Sequence, residues 1–457
     1  MGLVALYCRL FCAIIRILRR FVSLVLPITA NINSLGHLEI GGCDTVELAR
    51  QYGTPLFIMD EATLRGQCRT FMQAFGAKGI EFDVVYASKA FSCTAMCQIA
   101  KQEGLGLDVM SGGELYTAIK AGFPMDKVLM HGNNKTPEEL ALALDNNIGR
   151  VVVDGFHELE LLDKIAGEKG KVQPILLRIT PGIKPQTHSY IQTGQIDSKF
   201  GFGLQDGLAM SAVKKSLELK NVELKGLHAH IGSQIFELGP FAKAIEIIME
   251  FVKQIKDETG FVAREFNAGG GLGIQYKAVD EPSTIEEFAS VVVDGVVREA
   301  QHLGLPVPKI MVEPGRSIVA NAGVTLYTVG TIKEIANIRT YVSVDGGMSD
   351  NLRPMLYGAV YEALLANRAQ EKATTMVTVA GKHCESGDIL VRDIELPHPE
   401  AGDILCTPAT GAYGYVMANN YNRQPRPAVL LVNNGEARAI IRRETFEDLV
   451  RLDASIE

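Results

Sequence analysis

Lys89 stands just past the short apolar run FDVVYA (82–87), in YASKAF, and far along the chain the run KIMV leads into Glu313-Pro314-Gly315-Arg316. A lysine offers an amine that can bond a carbonyl carbon, a glutamate can face a positively charged ring nitrogen, and an arginine can grip a phosphate. If the two runs are neighbours in space, these groups share one mouth, equipped for a phosphorylated carbonyl cofactor. The run Gly269-Gly270-Gly271 adds backbone that can pass close to a phosphate without steric bulk.

An eightfold repeat would bring them together. From residue 80 onward, short β-rich runs alternate with stretches of helical periodicity, the pattern of a parallel sheet wrapped in helices. The runs are FDVVYA (82–87), LGLDVM (105–110), KVLMHG (127–132), GRVVVDG (149–155), QPILLRIT (173–180), LKGLHAHI (224–231), REFNAG (264–269) and KIMVE (309–313). Helical stretches between them include TAMCQIAKQEG, GELYTAIKAG, TPEELALALDN and PFAKAIEIIMEFVKQIKDETG. Thr136-Pro137-Glu138-Glu139 reads as a helix start, with a cap residue, a first-turn proline and acids at the positive dipole end. The count predicts a (β/α)8 barrel, in which strand C-termini carry chemistry and N-termini carry stability.

Polar residues follow that division. The predicted strand ends display Lys89, Asp108, His131, Asp154, Arg178, His228, His230, Gly269 to Gly271, Glu313 and Arg316. Each alone has an ordinary reading: a surface lysine, a tight glycine turn, a satisfied loop acid. For Asp154 and Arg178 the ordinary reading is preferred. Taken together, the set points to a site.

The chain has 457 residues, more than one barrel of about 250 needs, so a second domain is expected. After Arg316, VTLYTVGTIKEI, RTYVSVDGG, TMVTVAG, DILVRDIEL, DILCTP and AVLLVNNGEARAII alternate in the manner of strands, and Asn434-Gly435 supplies a hairpin turn. The expected division is an extension over 1–31, a leading segment over 32–60 that partly joins the β-domain, the barrel over 61–318, and an all-β sandwich or Greek-key barrel over 319–457. A net charge of −8 argues against a nucleic-acid partner. The eight cysteines include no CxxC pair, which suits a reducing, cytoplasmic setting; Cys93 and Cys97, four apart, have no further ligand nearby in sequence, and no metal is expected. The first thirty residues contain four arginines and no acid. Arg9, Arg16 and Arg20 share one helical face, so membrane contact through residues 1–30 is one reading and an extension upstream of the true start is another. Arginines interrupt the apolar region, which argues against a signal peptide.

From about Ile32 onward the chain resembles the diaminopimelate decarboxylases, within the alanine-racemase-like class of pyridoxal phosphate enzymes. The matching segments are YASKAF, GLDVMSGGEL, THSYIQTGQIDSKFGF, HAHIGSQ, AGGGLG, EPGR, DGGMSDNLRPMLYGA, CESGD and GAYGYVM, in the family's order. Phe91 departs from the asparagine of many relatives. The resemblance implies pyridoxal 5'-phosphate held by Lys89 as a Schiff base, with Glu313 on the ring nitrogen, and His230 stacked on the ring (His228 being the alternative). It also implies that Gly269, Gly270, Gly271, Ser233, Pro314, Gly315, Arg316 and Tyr413 surround the cofactor. Cys384 would return a proton, while Glu385 faces the substrate's distal ammonium. Arg316, Arg353, Tyr357 and Tyr413 would receive the substrate, Arg353 gripping a distal carboxylate. A homodimer with shared sites would follow. Ornithine or arginine as substrate would leave Arg353 without use; carboxynorspermidine decarboxylation, a racemase and a non-catalytic cofactor carrier are more distant alternatives.

Overall fold

The computed structural model describes residues 25–183 and 198–456. Arg9, Arg16 and Arg20, and most of THSYIQTGQIDSKFGF (187–202), lie outside the described residues. Among the described residues no helix is long and apolar enough to cross a membrane. The described residues form two compact units, one of residues 66–183, 198–273 and 282–317, the other of residues 25–65, 274–281 and 318–456.

The first unit is the expected barrel. Its strands are Phe82–Ala87, Gly106–Val109, Val128–Met130, Arg150–Val153, Gln173–Thr180, Val222–His228, Glu265–Asn267 and Lys309–Val312. Each pairs in parallel with the next, and the eighth closes on the first with Ile310 opposite Phe82. Sequences such as RVVV and KIMV are almost wholly apolar because a parallel barrel strand is covered on both faces. Val85, Leu129, Val152, Leu176 and Met311 cluster from different strands, as a filled barrel interior requires.

The helices start and stop where local chemistry says they should. Thr136 caps the helix Pro137–Asp145, accepting from the Glu139 amide while the Glu139 side chain accepts from the Thr136 amide. The helix Gly239–Thr259 buries Phe241, Ile245, Ile248, Met249, Val252 and Ile255, one apolar stripe at helical spacing, and ends at Gly260 with φ 76°. The sixth strand is shorter at its end than its sequence run suggests. It stops at His228, because the neighbouring strand ends at Asn267 and the chain then turns at Gly269 with φ 70°. His230 therefore lies in the loop, and strand alternation does not set its direction.

The second unit is built on a nine-stranded mixed sheet. Leu56–Asp60, from the leading segment, runs between Gly323–Ile335, antiparallel to it, and Ala428–Asn433, parallel to it. Arg339–Val344, Thr375–Ala380 and Ile389–Leu396 extend one side, and Glu436–Ile441 the other. Asn434 and Gly435 make the hairpin turn with φ of 51° and 81°. Leu38, Ile40, Leu56, Ile58, Leu326, Leu430 and Val432 share a core on this sheet. Residues 274–281 belong here although the sequence places them between barrel strands.

Candidate active site

The barrel's strand ends converge on Glu313, one residue past the eighth strand. Its carboxylate is buried and accepts three hydrogen bonds: from His131 Nε2 at 2.7 Å and Asn267 Nδ2 at 2.7 Å on Oε1, and from His228 Nε2 at 3.1 Å on Oε2. Burial alone would push this carboxyl up. The imidazoles of His131 and His228 outweigh burial and hold it well below the ordinary carboxylate range. Burial drives His228 the other way, down to about 4, so a neutral ring donates through Nε2 to a charged carboxylate. Donor atoms of His131, His228 and Glu313 lie within 4.8 Å of one another. Contacts of 2.7 and 3.1 Å are hydrogen-bond lengths, and the network accounts for the cluster without a cation.

Lys89 sits in a turn, Ser88–Ala90, at the end of the first strand. Its Nζ is 3.6 Å from Oδ2 of Asp108, on the second strand; the lysine side chain is 41 % exposed and the aspartate 1 %. Asp108 Oδ2 has no hydrogen-bond partner among the described residues, so a buried carboxylate oxygen faces an accessible amine. Glu114 fixes the approach, accepting from Ser88 Oγ at 2.9 Å and the Met110 amide at 2.8 Å.

The glycines after the seventh strand are a close-approach device. A Cβ on Gly270 would stand 2.1 Å from the Glu313 carbonyl oxygen, and one on Gly271 2.4 Å from that of Gly232. The Gly270 amide donates to His230 Nδ1 at 3.3 Å. Burial, with the charges of Lys89 and Arg178, keeps His230 well below its ordinary value and therefore neutral. Arg316 Nη2 donates to Ser233 Oγ at 2.9 Å. Pro314 and Gly315 bring the chain against the first strand: the Ala87 amide donates to the Pro314 carbonyl at 3.1 Å, and a Cβ on Gly315 would stand 3.0 Å from Ala87 Cβ. Asp154 and Arg178 pair with each other at 3.5 Å, the ordinary reading preferred for them.

In the β-rich unit Arg353 opens the short helix Arg353–Tyr357. Its guanidinium is buried, and Nη1 donates to Tyr276 Oη at 2.9 Å and to Tyr361 Oη. Tyr357 and Tyr413 are partly buried, Tyr413 with φ 56°. Cys384 and Glu385 are both exposed. Their loop is tied down by Asp388, which accepts from the His383 amide at 3.0 Å, His383 Nδ1 at 2.8 Å and the Met348 amide at 2.7 Å. Phe91 is buried, and its carbonyl accepts from Tyr86 Oη at 2.8 Å, so it packs behind the lysine turn.

Of the three donors to Glu313, His131 and His228 stand among the residues expected at strand ends, and Asn267 does not. Asn267 ends the seventh strand, and the rule that put His131 among the candidates would have found it. Tyr276 and Tyr361 carried no such signal, since nothing local marks a tyrosine as an arginine's partner.

The donor set suits pyridoxal phosphate. It offers an accessible amine paired with a buried carboxylate, a second buried, charged carboxylate for a cationic ring nitrogen, and a bare glycine loop near an arginine and a serine. The comparisons agree. Residues 61–320 match the model for the pyridoxal-binding domain of pyridoxal-dependent decarboxylases. The chain is 52% identical to the diaminopimelate decarboxylase of Bacillus subtilis, across 93% of this chain and 97% of that protein. It is 49% identical to that of Synechocystis, across 94% and 92%. A crystal structure of the M. jannaschii diaminopimelate decarboxylase with L-lysine superposes with a TM-score of 0.88 at 37% identity, covering 93% of this chain and 98% of that one. With a buried glutamate network, a lysine and a glycine loop at the mouth of a closed barrel, and this likeness along nearly its whole length, the chain belongs to the diaminopimelate decarboxylases, a branch of the pyridoxal-dependent decarboxylases.

Proposed function

We infer that this chain removes the carboxylate from the D-centre of meso-2,6-diaminopimelate, releasing CO2 and L-lysine, with pyridoxal phosphate as cofactor. The observation that carries the reading is Glu313: a carboxylate kept charged inside a barrel calls for a cationic partner, which a protonated pyridine nitrogen provides. Pyridoxal phosphate, when bound, supplies the electron sink that accepts the bond pair left by the departing carboxylate.

The chain's own residues do the rest. Lys89 would hold the cofactor through Nζ, with the Asp108 carboxylate 3.6 Å away to steady the amine. Gly269 to Gly271, Ser233, Pro314, Gly315, Arg316 and Tyr413 would hold the phosphate end, and His230 would pack beside the ring. Cys384 carries the proton that the α-carbon regains, its Sγ reachable because the loop is exposed. Arg353 and Tyr357, with Arg316, take the carboxylate at the far end, and Glu385 takes the far ammonium.

A two-fold homodimer completes the site in this reading. Cys384 and Glu385 stand exposed on the β-rich unit, where a Cβ on Gly387 of the same loop would stand 3.5 Å from Cε of Met355, and Met355, Leu356 and Val360 of that unit are 42–54 % exposed. A surface pairing catalytic groups with uncovered apolar side chains suits an interface that closes over a partner's barrel mouth and excludes water. The proposed setting is cytoplasmic. Borohydride reduction of the yellow holoenzyme tests the anchor: the cofactor should be fixed on Lys89 by peptide mass, and saturating meso-diaminopimelate should protect that lysine. A label on another lysine, or a Lys89→Ala protein with the wild-type absorption band, would overturn the assignment.

A further inference from the structure

Among the described residues, Arg353 uses only part of its donor set. Both of its hydrogen bonds leave from Nη1, to Tyr276 and Tyr361. Among the described residues Nε and Nη2 have no hydrogen-bond partner, and neither is a sealed-off buried atom. Those two atoms form the side of the guanidinium that meets a carboxylate bidentately. The tyrosines do more than accept bonds. Their ring centroids lie 4.9 Å and 5.6 Å from the guanidinium carbon, and the two rings meet edge to face at 5.3 Å. Arg353, Tyr276 and Tyr361 are all buried, so the arginine cannot swing without breaking both hydroxyl bonds and leaving the cage.

We propose that Tyr276 and Tyr361 are specificity-determining positioning residues. By holding Nη1 they turn the Nε–Nη2 edge of Arg353 outward, prepared to receive a second carboxylate, which separates a diamino diacid from a diamino monoacid. The inference rests on the reading that Arg353 receives the far carboxylate of meso-diaminopimelate. An arginine left to rotate would bind the same carboxylate after losing side-chain freedom, at the expense of affinity. Neither tyrosine lies in a motif that the sequence singled out: Tyr276 follows the glycine loop in GLGIQYK, and Tyr361 lies eight residues beyond Arg353.

The test is a double-mutant cycle on the holoenzyme. Tyr276→Phe and Tyr361→Phe are made in wild type and in Arg353→Met, and kcat and KM for meso-diaminopimelate are measured with the cofactor absorption band and Tm. In wild type each phenylalanine should lower kcat/KM by roughly 3- to 10-fold, mostly through KM, with the absorption band unchanged. In the Arg353→Met background the same changes should have less than about a twofold effect, because the group they orient is gone. Equal losses in both backgrounds, or no loss in wild type, would overturn the positioning role while leaving Arg353 in the site. Arg353→Met that turns over meso-diaminopimelate like wild type would instead remove the substrate reading and this inference with it.

Discussion

At the level of single residues the site is a matter of charge kept where water would normally disperse it. Glu313 remains a carboxylate because three donors converge on it, and each donor comes from a different strand: His131 after the third, His228 at the end of the sixth, Asn267 at the end of the seventh. Taking away that charge while keeping the shape isolates its contribution. Glu313→Gln should retain the cofactor, since Lys89 and the glycine loop are untouched, but lower kcat by about two orders of magnitude, the scale on which preorganised electrostatic groups act. Titration of cofactor binding beside steady-state kinetics checks this. Glu313→Gln with wild-type kcat would mean that the ring nitrogen needs no anionic partner here. His228 and His230 show how residues two apart can part company: the first faces the carboxylate, the second meets the Gly270 amide.

At the level of elements, much was legible because parallel strands and amphipathic helices write themselves in periodicity. FDVVYA and QPILLRIT coincide with the first and fifth barrel strands, and the capping box at Thr136 was readable from four residues. What could not be read were contacts between segments distant in sequence. The segment over 32–60 was expected to join the β-rich part, but nothing in LFIMD marks it as an interior strand between Gly323–Ile335 and Ala428–Asn433, and nothing in the residues after Lys135 marks it as a buried lysine. Its Nζ bonds the Gly132 and Val152 carbonyls and Glu158 Oε1 at 2.7–2.8 Å, clamping the ends of the third and fourth strands. The lysine, glutamate and arginine of the candidate site were visible as motifs, whereas Asn267, Tyr276 and Tyr361 emerge only from the fold. The glycine loop belongs to both classes. Its spacing was plain, but the 2.1 Å approach of a Gly270 Cβ to the Glu313 carbonyl oxygen shows that one methyl must move the loop off the Glu313 segment. Gly270→Ala should therefore weaken cofactor binding by about tenfold or more, the equivalent of the 1–3 kcal/mol typical of an overpacked position. Equilibrium binding of the cofactor to the apo protein measures it, and unchanged affinity would remove the loop from the site.

At the level of the whole molecule, two units divide the equipment. Lys89 and Glu313 belong to the barrel unit, and Arg353, Cys384 and Glu385 to the β-rich unit. If a partner's CESGD loop completes each site, Lys89→Ala and Cys384→Ala, each nearly inactive, should complement when unfolded and refolded together. Random pairing makes half the dimers mixed with one intact site each, so recovery should approach about a quarter of wild type. No recovery despite subunit exchange confirmed by mass would place all the groups within one chain. For the molecule as a whole the decisive property is substrate choice, because the proposed role of Arg353 requires a substrate with a second carboxylate. CO2 release from meso-diaminopimelate, ornithine, arginine and L-lysine, measured on the same holoenzyme, addresses this directly. The predicted result is one L-lysine per CO2 from meso-diaminopimelate, with kcat/KM at least about a hundredfold above the other three, as expected of a site built to pair a polar group they lack. Comparable CO2 from ornithine, or none from meso-diaminopimelate, would contradict it.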